Sequence, residues 1–146
     1  MKVTIYNSHK DLKISKTSVT RLATYFFIFL KKEVEEVIIH FVSTKKISNL
    51  HEKLFQDPSP TDCISQPYDF LGYALLGEVF ICPETAIKYS EKKGKDPYEE
   101  TSLYVVHSLL HLLGYDDIDP KERKKMRRCE KKLLTHLKEE RALLST

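Results

Sequence analysis

The chain has 146 residues, of which 41% are apolar and 31% charged. That is the balance of an ordinary globular protein, long enough to bury a proper core without disulfide staples. Its three cysteines, Cys63, Cys82 and Cys129, are odd in number and widely spaced. They read as the reduced thiols of a cytosolic protein rather than as a disulfide framework. No signal peptide is expected, because alternating residues and not an apolar run follow Lys2, and the most apolar stretch, residues 22–30, is too short to span a bilayer. The expectation is a single cytoplasmic domain over residues 1–146, without membrane association.

The net charge of +3 is unevenly placed. Residues 121–146 hold ten Lys or Arg against four Glu, a surplus of six, so residues 1–120 sum to −3. A basic C-terminal segment on a nearly neutral body fits contact with a polyanion, although a solvated helix face accounts for it as well.

In chain order, residues 2–6 alternate and predict a strand. Ser18 is the expected N-cap of a helix reaching 32, with Val19, Leu22, Ala23, Phe26, Phe27 and Leu30 on one face. The run EVIIHFV at 36–42 is β-branched and apolar, as a central strand requires. Ser43 or Thr44 caps a short helix ending near 54, and a loop with two prolines follows over 56–60. Residues 61–65 form a third expected strand, with an irregular excursion around Pro67. GEVFIC at 77–82 is the fourth strand, and Pro83 opens a helix with Glu84 in its first turn that breaks at 94–96. Asp96-Pro97-Tyr98-Glu99 and Asp119-Pro120-Lys121-Glu122 repeat one helix start: N-cap, proline first, Glu third. The first of these helices runs over 97–113, ended by Gly114. This order of elements predicts an α+β domain with a four-stranded sheet and about five helices.

Chemistry concentrates in HSLLHLLGYDD at 107–117. His107 and His111, at i and i+4, share a helix face and can reach one cation. Beyond the Gly114 stop the chain can turn back and bring a third ligand, for which Asp116 and Asp117 are the candidates. Asp119 is better explained as an N-cap. The opposing explanation is a pair of core histidines satisfied by backbone carbonyls. Zinc peptidases carry Glu directly after the first His as general base. Ser108 stands there instead, which argues against a peptidase and leaves the base to another group or to water activated by the metal.

This segment resembles the YbeY family of bacterial endoribonucleases, whose run is H-G-x-L-H-L-x-G-Y-D-H. Other landmarks follow in order. PTDCIS at 60–65 resembles P-T-D-V-L-S, LGEVFI at 76–81 resembles L-G-D-I-x-I, and Met126 with Glu130 matches the M-x-x-x-E of the last helix. The resemblance covers nearly the whole chain. It implies a mixed four-stranded sheet, one zinc ion, and metal-dependent cleavage of single-stranded RNA in ribosomal RNA maturation and small-subunit quality control. The implied partners are ribosomal RNA, the small ribosomal subunit and a small-subunit ribosomal protein. It also makes His107, His111 and Asp117 the metal ligands and catalytic residues, with Asp117 where the family has His. Two His with one carboxylate is a common catalytic zinc set. Ser108 replaces a glycine, and Phe55 aligns with an arginine, a natural phosphate contact, for which Lys53 is a nearby substitute.

The expected RNA contacts are Lys121, Arg123, Lys124, Lys125, Arg127 and Arg128, through phosphates and hence without sequence specificity. Ser65 and Asp62 are equally well read as strand-end hydrogen bonding or as substrate contacts. Tyr115 is read as packing before base stacking, and His40 as a core or edge residue. His9, His51 and His136 have no informative spacing. Two other readings stay open: a metallopeptidase, and a non-catalytic ribosome-assembly factor with a structural zinc.

Overall fold

The computed structural model describes residues 1–57, 59, 61–68 and 75–146. Pro58 and Pro60 of the expected loop, and positions 69–74 after Pro67, lie outside the described residues. The elements run β1 (Lys2–Asn7), α1 (Lys16–Phe29), β2 (Glu36–Phe41), α2 (Thr44–Phe55), β3 (Cys63–Pro67), β4 (Leu75–Ile81), α3 (Pro83–Lys93), α4 (Pro97–Leu112) and α5 (Pro120–Glu139). The strands form one sheet in the order β1-β2-β4-β3. β1, β2 and β4 are parallel, and β3 closes the edge antiparallel to β4. This is the α+β class with a mixed sheet that the element order predicts.

Alternation along the strands explains the layering. Val37, Ile39 and Phe41 of β2 and Val79 and Ile81 of β4 join one buried cluster with α1, α4 and α5. The opposite sheet face is covered at one end, where Ile64, Phe80 and Cys82 pack with Ile47 of α2. On that face Tyr6, His40 and Phe80 are paired across β1, β2 and β4, and their rings stack at 5.0 and 4.3 Å. The expected core or edge residue His40 is thus a half-buried residue of an inner strand, its Nε2 3.3 Å from Glu78.

The caps correct one boundary. Ser15, not Ser18, starts α1, because the Ser15 hydroxyl accepts the backbone N–H of Ser18. Ser18 lies inside the first turn and returns its own hydroxyl to the Ser15 carbonyl at 2.8 Å. Ser43, Asp96 and Asp119 cap α2, α4 and α5 as expected. β3 begins two residues later than its expected start at 61, and β4 begins two earlier than 77. The early start of β4 places Gly77 inside the strand. A Cβ there would lie 2.6 Å from the Gln66 carbonyl oxygen and 2.7 Å from Leu112. Glycine therefore lets β3 and α4 close on β4.

Candidate metal centre and nucleic-acid cleft

α4 is covered almost all round, as befits a central helix. Between Tyr104 and Leu112 only His107 and His111 escape full burial. Ser108 is fully buried and donates to the Tyr104 carbonyl, while Ser65 of β3 donates to the Ser108 carbonyl at 2.8 Å. The position that carries the base in zinc peptidases therefore packs against β3, and a glutamate there would be buried without solvent. Ser65 ties β3 to α4 and also lines the cleft beside the histidines, so the structure leaves room for both of its readings.

Gly114 ends the helix in the left-handed region, at φ +97°. The Gly114 N–H bonds the His111 carbonyl at 3.0 Å and the Tyr115 N–H bonds the Leu110 carbonyl at 3.1 Å, the pair that defines a Schellman end. The turn then swings the Tyr115 carbonyl onto the His111 ring, where Nδ1 lies 2.9 Å away. A carbonyl only accepts, so His111 carries its proton on Nδ1 and presents a lone pair at Nε2. Nδ1 of His107 is held by the Glu130 carboxylate of α5, which fixes the same tautomer.

Three aspartates follow the turn, and hydrogen bonding sorts them. Asp116 accepts the Ile118 N–H at 2.9 Å and Asp119 the Lys121 N–H at 3.0 Å, so both serve the backbone. Asp117 turns to the histidines, its Oδ2 3.5 Å from His107 Nε2 and 3.4 Å from His111 Nε2. The two Nε2 atoms are 3.1 Å apart. Two lone pairs and a carboxylate oxygen thus point at one place, an arrangement that a cation satisfies and neutral packing does not. Among the described residues, His107, His111 and Asp117 are the group that can hold a metal ion. Burial opposes a charged His107, but its hydrogen bond to Glu130 and the charges of Glu130, Asp62 and Asp117 outweigh it, and its pKa stands raised. Cys63 lines the cleft beside the group, and burial and the neighbouring Asp62 push its thiol well up.

The group opens on two hollows. A cleft of about 510 Å³ is lined by His107, His111 and Asp117 together with His51, Phe55, Asp62 and Ser65. A smaller one of about 280 Å³ lies between His107, Asp117, Arg123, Arg127 and Glu130. Phe55 is 59% exposed, and its ring lies 5.1 Å from that of His51. The cleft wall nearest the family's arginine position is therefore aromatic, and Lys53 is exposed on α2 but is not among the residues that line the cleft.

The basic residues divide. Arg123 donates to the carbonyls of Asp117 and Ile118 at 2.9 and 3.1 Å, clamping the turn that carries the third ligand. Arg127 lines the smaller hollow, while Lys121, Lys124, Lys125 and Arg128 are exposed along α5. Tyr115 packs against the core, as expected, and its hydroxyl meets the Cys129 thiol at 3.8 Å. Sequence reasoning missed His51 as a cleft residue. It also gave Glu130 no role, although the Met126-to-Glu130 spacing marked it.

A mixed sheet carrying an H-x-x-x-H helix, a carboxylate brought back by a glycine turn and an adjoining open cleft defines a class: proteins built around one candidate metal centre. The family model described as Endoribonuclease YbeY matches residues 4–138. The chain is 43% identical to the Endoribonuclease YbeY of Chlamydia felis, over 99% of this chain and 96% of that protein. It is 44% identical to that of Protochlamydia amoebophila, over 90% of each. The solution structure of TM1509 from Thermotoga maritima superposes with a TM-score of 0.68 at 24% identity, covering 96% of this chain and 92% of that one, which bears on the fold. The chain belongs to the YbeY endoribonuclease family. Among the described residues, no helix is long and apolar enough to cross a membrane.

Proposed function

We propose that this chain is a zinc-dependent endoribonuclease that cuts single-stranded RNA, acting as one domain over residues 1–146. Its setting on this reading is the cytoplasm, in ribosomal RNA maturation and small-subunit quality control. Its partners are ribosomal RNA, the small subunit and one of that subunit's proteins. Membership of an endoribonuclease family supports RNA cleavage. The observation that carries the metal is the convergence of His107 Nε2, His111 Nε2 and Asp117 Oδ2 at separations of 3.1, 3.4 and 3.5 Å. Tetrahedral zinc with bonds of about 2.0 Å has ligand-to-ligand edges of about 3.3 Å. The donor set therefore fits zinc without rearrangement, and three protein ligands leave a fourth position open, as catalytic sites do.

A bound zinc ion would supply Lewis acidity to a phosphoryl oxygen and lower the pKa of adjacent water. The chain's own residues do the remainder. Glu130 and the Tyr115 carbonyl hold the two imidazoles in the ligating tautomer. Arg127, beside the ligands, is the cation best placed for a substrate phosphate. Phe55 and His51 offer flat faces on the cleft wall to unpaired bases, which a duplex cannot present.

The test is cleavage of single-stranded precursor ribosomal RNA by wild type and His111→Ala in parallel, with zinc added and folding checked. Cleavage that the variant loses is the expected result. Equal cleavage by both proteins would move the activity off this site, and absence of cleavage by either would favour a non-catalytic assembly role.

A further inference from the structure

On the side of α5 away from the ligand-holding Glu130, a hollow of about 440 Å³ runs between α1 and α5. Its floor is aromatic. Phe29, 38% exposed, lies 4.8 Å ring to ring from His136, and Tyr25 meets His136 edge-on at 6.2 Å. Its walls are cationic: Arg128, Lys131 and Lys132 line it, all exposed. Among the described residues, none of these three forms a salt bridge. One carboxylate, Glu139, shares the lining. The last turn of α1 adds no acidic residue, and Lys31 and Lys32 follow it.

Unpaired cations around exposed rings suit a ligand with negative charge and flat apolar faces together. A folded core gains little from this arrangement, since among the described residues the three cations form no salt bridge and the Phe29 ring is 38% exposed. Single-stranded RNA has both properties in every nucleotide. The hollow and the metal centre share no lining residue, but α5 runs past both. Arg123 and Arg127 border the ligands, and Lys131 follows Arg127 by one helical turn on the same face. From Arg123 to Thr135 the axis of α5 rises about 18 Å, a span of a few nucleotides.

We propose that the α1–α5 hollow is a second binding site for single-stranded RNA, holding the segment that runs out of the metal cleft along α5. Arg128, Lys131 and Lys132 contact phosphates, and a base stacks on Phe29 over His136. The proposal rests on the endoribonuclease reading only for the choice of RNA as ligand.

The test measures binding without cleavage, so that it stands apart from the nuclease question. Fluorescein-labelled oligouridylate of twenty nucleotides is titrated by anisotropy with chelator present, over a series of salt concentrations. Each lost phosphate contact should lower the slope of log K against log salt by about 0.7, so the triple variant Arg128→Gln/Lys131→Gln/Lys132→Gln should lose about 2. Phe29→Ala should weaken binding about tenfold and leave the slope unchanged, because stacking releases no counterions. The charge control is Lys92→Gln/Lys93→Gln/Lys95→Gln at the end of α3, expected to change the slope little. Equal slope losses in the two triple variants would reduce the hollow to diffuse attraction and overturn the proposal. So would an unchanged affinity in Phe29→Ala, a wild type that does not bind, or displacement of the RNA by polyglutamate as readily as by unlabelled oligouridylate. If binding behaves as expected while wild type with zinc fails to cleave, the nuclease reading falls and the binding site stands.

Discussion

The Tyr115 carbonyl accepts the Nδ1 proton of His111 at 2.9 Å, so the backbone turn that ends α4 also sets the protonation of a candidate metal ligand. The turn depends on Gly114 at φ +97°, with open space where a Cβ would stand. Gly114→Ala therefore meets no clash, and its cost is backbone strain of about 1 kcal/mol. The expected outcome is a folded protein with slightly lower stability and weakened zinc affinity, because the carbonyl no longer meets the ring. Thermal melting and competition with a chromogenic chelator read the two effects separately. Unchanged zinc affinity would show that the turn matters for the helix end alone.

Glu130 performs for His107 what Tyr115 performs for His111, with a charge in addition. Glu130→Gln keeps an acceptor at the same reach but removes that charge, so the imidazole is oriented yet less basic. Loss of such an outer partner lowers metal affinity by about 10- to 100-fold. The same chelator competition checks it, with circular dichroism confirming an intact fold. A variant that binds zinc as tightly as wild type would make Glu130 a structural tie between α4 and α5.

Phe55 stands on the cleft wall where the resemblance places an arginine, and it is 59% exposed. Phe55→Arg should bind single-stranded RNA more tightly, with a salt slope steeper by about 0.7, the contribution of one phosphate contact. Phe55→Ala should bind less tightly at an unchanged slope, since it removes a stacking face and no charge. Anisotropy titrations at several salt concentrations distinguish the two. If neither variant departs from wild type, position 55 lies off the RNA path.

These residues also mark where local pattern stops being informative. His107, His111 and Gly114 were legible because helix period and a C-cap glycine are properties of neighbouring residues. Asp117 was one of two candidates by spacing. Only hydrogen bonding separates it from Asp116, whose oxygen is taken by the Ile118 N–H. Ser15 and Ser18 are both acceptable N-caps by residue type, and the choice depends on which hydroxyl meets a free N–H. His51 and Phe55 join the site through the packing of α2 beside β3, and Glu130 through the packing of α5 on α4. Neither packing leaves a period in the chain. The fold class was legible because each amphipathic element declares its buried face, while the faces that meet at the cleft are the partly polar ones.

The pair Thr44 and Glu84 carries a pH dependence whose sign follows from geometry. The Thr44 hydroxyl, in the first turn of α2, donates to Glu84 Oε2 at 2.5 Å in the first turn of α3. Lys88 Nζ lies 3.5 Å from the other oxygen. The hydrogen bond from Thr44 is the main cause holding the Glu84 carboxyl below its ordinary value of 4.5; burial opposes it and Lys88 adds to it. A carboxyl whose pKa is lowered by folding stabilises the native state above the unfolded value, and that contribution fades as pH falls through the folded one. Glu84→Gln keeps an acceptor for Thr44 but cannot titrate. Other groups act in both proteins alike, including Glu100, whose carboxyl burial raises. The difference in melting temperature between wild type and Glu84→Gln therefore isolates Glu84. It should favour wild type at neutral pH, hold down to about pH 5 and shrink below the ordinary carboxyl pKa of 4.5. A difference that stays constant into acid would show that the pair acts through hydrogen-bond geometry and not through the charge on Glu84.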